Sequence, residues 1–186
     1  SVFINYVDRS IFVPRQPRSC SPAPVIIFPG GLHWHQGLDI AIRAFARLRE
    51  KLPQARFHIY GDGSCKAELF SLAANLGLSD SVKFFDSLSL REIAGVMAAA
   101  DLGVVPKRAD GFGNEAYSTK IMEFMSLGVP VVISATRIDR FYFDDSVARF
   151  FPSGDTDELA RAEYEVLTDE CRRQSLSRNA RAYAAA

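Results

Sequence analysis

The chain has 186 residues, of which 48 % are hydrophobic, and its 22 basic and 22 acidic side chains give a formal net charge of zero at pH 7. A chain of this length forms about one domain with a sizeable core. Because the charges balance and no run rich in Lys and Arg occurs, nothing indicates nucleic-acid binding. Three scattered cysteines favour a reducing cytoplasm over a disulfide framework or a zinc site: Cys20, Cys65 and Cys171.

The beginning of the chain has the composition of a connecting segment. Residues 1–23 contain prolines at positions 14, 17 and 22 with arginine and serine between them, which is typical of a linker between domains. The sequence has no apolar leader, and no apolar run approaches the roughly 18 residues that span a bilayer. We therefore expect a linker over 1–23 that contributes nothing to the core, and one α/β domain over 24–186.

Strands and amphipathic helices alternate through the first half of this domain. The apolar pattern predicts strands Val25–Phe28, Arg56–Tyr60 and Val82–Asp86, and helices beginning at Leu38, Lys66 and Ser89. Such alternation predicts βα units of a parallel sheet. Gly-rich turns follow the first two strands, but the turn at Gly61 lacks the third glycine of the dinucleotide fingerprint, because Lys66 occupies that place. A nicotinamide-dependent oxidoreductase is therefore disfavoured.

The most informative stretch runs from Asp101 to Ser134. It predicts a buried strand, a polar Gly-rich loop, a helix and a second strand, at Leu102–Pro106, Lys107–Asn114, about Ser118–Leu127 and Val129–Ile133. This is a βαβ unit with an enlarged first loop. Ligands of parallel sheets bind at the carboxyl ends of strands, where helix N-termini point. The loop from Lys107 to Tyr117 is therefore the predicted site.

Two carboxylates bracket the predicted site. Glu115 precedes the helix, and Glu123 lies inside it but can reach the mouth, because helical side chains tilt toward the N-terminus. A carboxylate suits a sugar diol, and free backbone N–H groups over 116–119 suit a phosphate. Together these features indicate a nucleotide-sugar pocket. Taken singly, each acid is also explained as a charge near a helix cap or as a solvated helix residue.

The last part of the domain predicts a loop rich in Asp and aromatic residues over Arg137–Ser146, a strand over Ala148–Phe151, and two polar helices after Ser153. Asp155 begins an Asp-x-Asp pattern of the kind that elsewhere holds a metal cation. Helix capping explains these acids without a metal, because Asp155 is placed as an N-cap and Glu158 stands at the third helical position. We therefore expect no metal site.

The segment from Glu115 to Val132, EAYSTKIMEFMSLGVPVV, resembles the E-x7-E region of retaining glycosyltransferases with the GT-B architecture, family 4 in particular. Asn5-Tyr6-Val7-Asp8 is similar to that family's N-G-V-D motif, and Tyr60-Gly61-Asp62-Gly63 is similar to its G-x-G loop. These motifs occur in the family's order, and the resemblance covers nearly the whole chain.

The resemblance implies a three-layer α/β/α Rossmann-like domain with a mainly parallel sheet of about six strands, the C-terminal half of a GT-B fold. It also implies transfer of a sugar from a nucleotide diphosphate sugar to an acceptor, with retention of anomeric configuration and without a metal or other cofactor. The N-terminal acceptor-binding domain would be missing from this chain, and any association with a membrane surface would run through that domain. By itself, the chain is expected to bind the donor without turnover.

The resemblance also implies roles for individual residues. Glu115 is expected to contact the donor sugar as the catalytic residue, Glu123 to hold the ribose hydroxyls, and the loops after Tyr60 and Phe85 to frame the base. The other residues expected to bind the donor are Gly30, Gly31, Gly61, Gly113, Asn114, Ala116, Tyr117, Ser118 and Lys120.

This chain departs from the family where the diphosphate would bind. The family's arginine and lysine after the first strand are replaced by Gly31 and Gln36. The candidate replacement cations are His33, His35, Lys107, Arg108 and Lys120. We favour Lys120, because it lies in the first turn of the helix that carries Glu123, whereas loop cations commonly point to solvent. The alternative is a GT-B homologue without catalysis that acts as a binding or scaffold module.

Overall fold

The computed structural model describes residues 7–16 and 19–186. Its strands and helices, in chain order, are β1 (Val25–Pro29), α1 (Leu38–Lys51), β2 (Arg56–Tyr60), α2 (Lys66–Asn75), β3 (Val82–Phe85), α3 (Leu90–Ala99), β4 (Leu102–Val105), α4 (Thr119–Leu127), β5 (Val131–Ser134), α5 (Arg137–Tyr142), β6 (Arg149–Phe151), α6 (Thr156–Thr168) and α7 (Glu170–Ala185). A short 3-10 turn, Trp34–Gln36, lies between β1 and α1. Asn5 and Tyr6 of the predicted N-terminal motif lie outside the described residues.

The strands form one sheet in the order β3-β2-β1-β4-β5-β6, and the described pairings are all parallel. The predicted three-layer Rossmann-like fold with about six strands is therefore confirmed. Strand order reverses between β1 and β4, which are neighbours in the sheet although two βα units separate them in the chain. At such a switch point a crevice opens beyond the carboxyl ends of the two strands.

Apolar side chains cover both faces of the sheet. Along β1, Ile26 and Phe28 join the core beneath α1, α2 and α6, whereas Ile27 joins the core beneath α3 and α4. Alternate residues of a strand point to opposite faces, so a sheet covered on both sides needs strands that are apolar throughout. This requirement explains the unbroken apolar runs of β4 and β5, in which all the residues are buried.

The described part of the N-terminal segment packs against the domain. Val7 and Phe12 are buried with the α3 and α4 core, Phe12 at only 2 % exposure. The Arg15 backbone N–H donates to the Leu127 carbonyl at 3.0 Å, and its guanidinium donates to carbonyls at the end of α3. The expectation that 1–23 contributes nothing to the core is therefore wrong for its described residues.

A second correction concerns the segment predicted to be a loop at Arg137–Ser146, which begins with the short helix α5. Thr136 caps this helix, and its hydroxyl accepts from the Asp139 N–H at 3.3 Å. Six residues give too little periodicity to predict a helix from sequence. The other predicted caps are confirmed, since Ser89 and Glu92 form a capping box and Asp155 accepts from two backbone N–H groups of α6.

None of the helices in the described parts of the chain combines the length and apolar character that crossing a bilayer requires. The same residues contain no cluster of three or more His, Cys, Asp or Glu side chains suited to a metal ion.

One buried acid in α6 has no evident compensation. Glu163 is 1 % exposed, and its Oε2 atom has no hydrogen-bond partner among the described residues. Burial raises the pKa of this carboxyl well above its ordinary value. A carboxyl whose pKa is raised on folding favours the folded state at low pH, and this contribution is lost as the pH rises above the pKa of the unfolded chain.

We expect Glu163→Gln to have a higher free energy of unfolding than the wild type at pH 7, by about 1 kcal/mol or more. The difference should shrink toward pH 4, where the wild-type carboxyl is protonated in both states. Urea unfolding at pH 4, 5.5 and 7 measures this, with exposed Glu50→Gln as the control. A constant difference across this pH range would contradict the assignment.

Candidate functional site

A cleft of about 390 Å³ lies at the switch point of the sheet. It is lined by Pro29, Gly30, Gly31, Tyr60, Gly61, Asp62, Ser87, Leu88, Ile93, Thr119, Lys120 and Glu123. Five of the residues predicted to bind the donor therefore meet here: Gly30, Gly31, Gly61, Lys120 and Glu123. The other six do not line the cleft and lie in the segment that leads to α4: Gly113, Asn114, Glu115, Ala116, Tyr117 and Ser118.

The floor of the cleft depends on two glycines. Gly30 and Gly61 have φ angles of 141° and 139°, which other residues rarely adopt. A Cβ atom on Gly61 would collide with the Gly30 carbonyl, and one on Gly30 would lie 3.1 Å from Lys120 Nζ. Their N–H groups donate to the carbonyls of Tyr60 and Phe85, at 2.9 and 3.0 Å. These glycines therefore shape the floor and leave room for Lys120.

Lys120 supplies the positive charge of the cleft. Its Nζ atom lies 5.3 Å from the centroid of the Phe28 ring. Burial is the main cause that lowers the pKa of this amine; the nearby Glu123 charge opposes it, Lys107 adds to it, and the net pKa is about 8. Lys120 is therefore mostly protonated at pH 7, in a place where water screens its charge poorly.

Glu123 lies three residues beyond Lys120, so both side chains are on one face of α4. Burial raises the pKa of Glu123, and the nearby Lys120 charge partly offsets that effect. The structure thus places a carboxylate and an ammonium group side by side in the wall of the cleft.

The N-terminus of α4 offers further donors. The backbone N–H groups from Tyr117 to Lys120 have no acceptor among the described residues, and the Ser118 side chain makes no capping bond. The Ser118 hydroxyl is also buried without a described partner. Ala116 differs from the prediction, because its N–H already donates to the Phe112 carbonyl at 2.8 Å. The unpaired N–H groups therefore begin one residue later than predicted.

Glu115 lies at the end of a tight turn outside the cleft. Its side chain is 59 % exposed and forms an ion pair with Arg137 of α5. Gly113 allows this turn, because a Cβ atom there would collide with the Arg108 carbonyl. Asn114 ties the turn to its surroundings by donating to the Ala109 carbonyl at 2.9 Å and accepting from the Arg137 N–H at 3.0 Å. Gly113 and Asn114 therefore shape the loop that presents Glu115.

Tyr117 points away from the cleft. Its ring meets that of Tyr142 edge-on with centroids 5.1 Å apart and lies 6.0 Å from that of Phe143. Burial, together with nearby Tyr183, Tyr142 and Asp139, raises the pKa of Tyr117 to about 12. This side chain is thus a neutral packing residue, and only its backbone is placed to meet a ligand.

Two of the candidate replacement cations are engaged within the protein. Lys107 is 3 % exposed, and its Nζ donates to the Ala116 carbonyl at 2.6 Å and pairs with buried Asp139 at 3.0 Å. Arg108 donates to both carboxylate oxygens of Asp39, at 2.7 and 2.6 Å, and stacks on Trp34. Neither side chain therefore points freely to solvent, and both have partners within the protein.

The histidines and Gln36 add little charge. His33 lies 3.3 Å from the Ser64 hydroxyl and stacks on His35. Burial chiefly lowers the pKa of His35, which therefore stays neutral at pH 7. The Gln36 Oε1 atom is buried without a partner among the described residues. Of the candidate cations, Lys120 is the one that lines the cleft.

Sequence reasoning missed part of the cleft wall. Three residues that follow β3 line the cleft: Ser87, Leu88 and Ile93. From the sequence, the loop after β3 was expected to frame the base, but none of these residues was named. Ile93 follows the apolar pattern of α3, so the sequence indicates a core residue there. Thr119 was missed because a helix-terminal threonine carries no distinctive signal.

Comparison with known proteins identifies the family. The family described as Glycosyl transferases group 1 matches residues 12–183. The chain belongs to this family. The GT-B assignment agrees with solved structures, among them Anabaena HepE in complex with UDP and glucose, with a TM-score of 0.77 and 26 % identity over 87 % of this chain and 43 % of that one. The C-terminal domain of Francisella tularensis LpcC supports the fold, with a TM-score of 0.79, 19 % identity and 96 % of each chain covered.

Curated relatives include a GDP-mannose-dependent monoacylated alpha-(1-6)-phosphatidylinositol monomannoside mannosyltransferase of Corynebacterium glutamicum, 27 % identical over 95 % of this chain and 49 % of the relative. A D-inositol 3-phosphate glycosyltransferase of Corynebacterium aurimucosum is 30 % identical over 82 % of this chain and 37 % of the relative. The chain thus spans half or less of the length of these two glycosyltransferases.

The buried ion pair between Lys107 and Asp139 holds the loop that carries Glu115, because Lys107 also donates to the Ala116 carbonyl. Lys107→Met should destabilise the chain by about 3–5 kcal/mol, because it leaves the Asp139 carboxylate buried and unpaired. Lys107→Met combined with Asp139→Leu should recover most of this loss, since no buried charge remains. Urea unfolding measures both variants. Asp139→Leu alone completes the cycle, and a double variant that loses the sum of the two single losses would show that the pair is not coupled.

Proposed function

We propose that this chain is the donor-binding half of a retaining glycosyltransferase that needs no metal, and that its cleft holds the nucleoside diphosphate of a nucleotide sugar. The observation that carries the proposal is the arrangement at the start of α4, where Thr119, Lys120 and Glu123 line one cleft and the backbone N–H groups of Thr119 and Lys120 have no acceptor among the described residues. Related structures of Anabaena HepE in complex with UDP and glucose and with UDP-glucose support this class of ligand.

The diphosphate belongs at the N-terminus of α4. A helix N-terminus supplies about half a unit of positive charge, which by itself does not balance the charges of a diphosphate. Lys120 supplies one full charge beside it. Because the family's two cations are replaced by Gly31 and Gln36, diphosphate binding by this chain depends more heavily on Lys120 than it would if both cations were present.

The ribose belongs beside Glu123, whose carboxylate can accept two hydrogen bonds from a diol. Raised pKa and burial make such a bond strong, since an acceptor in poor contact with water interacts more strongly with a donor. The base then extends toward the loops after β2 and β3, where Tyr60, Leu88 and Ile93 offer an apolar surface.

The sugar would extend toward Glu115 at the open side of the site. For Glu115 to meet the sugar, its carboxylate must exchange the exposed Arg137 for sugar hydroxyls, and exposed ion pairs are weak enough for this exchange. In this reaction the chain positions the donor and offsets the charge that develops on the leaving diphosphate. The acceptor would come from a domain outside this sequence, and the short coverage of the relatives supports this division of labour.

Calorimetry with UDP, UDP-glucose, GDP and GDP-mannose tests the proposal. Glu123→Gln should weaken binding of the preferred nucleoside diphosphate by about 1–3 kcal/mol, the range for a hydrogen bond to a charged group. Glu115→Ala should leave that affinity nearly unchanged and remove the advantage of the nucleotide sugar over the bare diphosphate.

If Glu115→Ala weakens binding of the nucleotide sugar and of the bare diphosphate equally, Glu115 contacts the nucleotide or keeps the loop ordered. Exposed Glu50→Gln is the charge-matched control for both variants. Binding of none of the four ligands by the wild-type chain would overturn the donor-binding proposal and favour a module that does not bind the donor.

The pH dependence of binding tests Lys120 separately. Because the pKa of Lys120 is about 8, its charge is present at pH 7 and mostly lost at pH 9, while the nucleotide phosphates stay fully ionised. We expect the affinity for the nucleoside diphosphate to fall by about tenfold over this range. Lys120→Arg should bind with little dependence on pH, because arginine stays charged, and Lys120→Ala should bind weakly at both values. A wild-type affinity that is constant between pH 7 and 9 would exclude Lys120 as the diphosphate cation.

A further inference from the structure

A second cleft lies at the opposite end of α4 from the N-terminus that faces the nucleotide. Two adjoining pockets of about 140 and 390 Å³ lie between α7, the end of α4 and the N-terminal segment. They share Arg178 and Arg181. We call the region the arginine cleft, because five guanidinium groups line it: Arg9, Arg15, Arg173, Arg178 and Arg181.

The positive charge of the arginine cleft is poorly compensated. Arg173 pairs with Glu170, and Arg15 donates to the Ala98 and Ala100 carbonyls at the end of α3. No acidic side chain is among the described residues that line either pocket. Asp8 is close in sequence, but its carboxylate already accepts from the backbone and hydroxyl of Ser10, at 2.9 and 2.6 Å.

Three of the five arginines are available to a ligand. Arg9, Arg178 and Arg181 form no hydrogen bond or ion pair with any described residue. The negative end of α4 contributes only about half a charge nearby, so most of the charge of three guanidinium groups remains unbalanced. Isolated surface arginines are ordinary, but these three converge on one concave surface. Arg178 and Arg181 do so because residues three apart share a helix face.

The wall of the arginine cleft also contains an unsatisfied hydroxyl. Ser126 is 6 % exposed and lines the larger pocket, and its Oγ atom has no hydrogen-bond partner among the described residues. A buried polar group without a partner costs free energy, and a ligand oxygen in the pocket would remove that cost. Ser177 lines the smaller pocket and offers a second hydroxyl.

The position of Arg181 is set by packing. Gly128 ends α4, and a Cβ atom at this residue would lie 2.6 Å from Arg181 Cδ. Glycine therefore lets the stem of Arg181 lie directly against the end of the helix. A side chain held in this way loses less conformational entropy when its guanidinium binds a ligand.

We propose that the arginine cleft binds a phosphate group, either of a small soluble phosphate compound or of a lipid headgroup. Guanidinium groups donate paired hydrogen bonds whose geometry matches phosphate oxygens. Hydroxyl donors such as Ser126 complete a set suited to a tetrahedral anion. The larger pocket, which Arg9, Arg178, Arg181 and Ser126 all line, has a volume of about 390 Å³, which leaves room for one phosphate group. This site is separate from the nucleotide cleft and does not depend on its function.

Calorimetry with pyrophosphate tests the soluble source. To keep the nucleotide cleft from contributing, the experiment uses Lys120→Ala as the starting protein. We expect binding that weakens with salt, and we expect Arg178→Gln in this background to lower the affinity about tenfold. Arg178 is exposed, so this change should leave folding intact, and Ser126→Ala should cause a smaller loss. Exposed Arg56→Gln removes the same charge elsewhere and should have no effect.

Cosedimentation with vesicles tests the lipid source. Vesicles of phosphatidylcholine with phosphatidylglycerol should bind the wild-type chain, and those of phosphatidylcholine alone should not. Arg178→Gln should reduce this binding, whereas Arg56→Gln should not. Binding in either arm that depends on Arg178 supports the proposal and identifies the source. No binding in both arms, or equal losses for Arg178→Gln and Arg56→Gln, would overturn it. Retained nucleotide affinity in Arg178→Gln, on the wild-type background, would show that the two sites are independent.

Discussion

Covering both faces of a parallel sheet is the constraint from which the arrangement of this domain follows. The apolar strands need helices on each side, and the crossover connections place α1, α2 and α6 on one face and α3 and α4 on the other. Because both faces are buried, a ligand can bind only at the edges of the sheet and at the helix ends around them. At the carboxyl edge the strand order reverses between β1 and β4, so the loops that follow these strands diverge. The cleft lined by Lys120 and Glu123 occupies the space between them.

Helix α4 connects two sites of different chemistry. Its N-terminus combines unpaired N–H groups with Lys120 and Glu123, a set suited to a polar ligand that carries both phosphate and hydroxyl groups. Its C-terminus, capped by Gly128, lies beside the arginine cleft. The helix dipole favours anions at the first end and cations at the second. The arginines obey this rule at the second end and exceed what the helix requires, whereas Lys120 is a cation in the first turn, at the end that favours anions.

Ion pairs within the protein, one buried and one partly exposed, occupy two of the candidate cations. Lys107 and Arg108 directly follow β4, near the expected diphosphate, yet each is paired within the protein. Lys107 holds the Ala116 carbonyl, and through it the residue next to Glu115. Its role is to position the loop. Of the candidate cations, Lys120 lines the cleft, and its lowered pKa reflects its burial among neighbours that only partly favour its protonation.

Much of the architecture is predictable because it depends on short-range patterns. The apolar runs, the Gly-rich turns and the caps at Ser89 and Asp155 each act within a few residues, and the structure has all of them. Parallel topology also predicts a cleft where strand ends and helix N-termini meet, and the structure has one, although the loop from Lys107 to Tyr117 that was predicted as the site does not line it. Glu123 and Lys120 could be assigned to one wall because helical spacing puts them on one face.

Tertiary structure alone decided the partners of the remaining side chains. Lys107 pairs with Asp139 of α5, Tyr117 packs against Tyr142, and Arg15 donates to the end of α3 from the N-terminal segment. Helix α5 itself is stabilised by such contacts, since its six residues carry little helical signal and its Asp139 is buried against Lys107. Each of these interactions joins residues far apart in the chain. No local pattern encodes such pairs, because their free energy depends on a distance that exists only after the sheet has assembled.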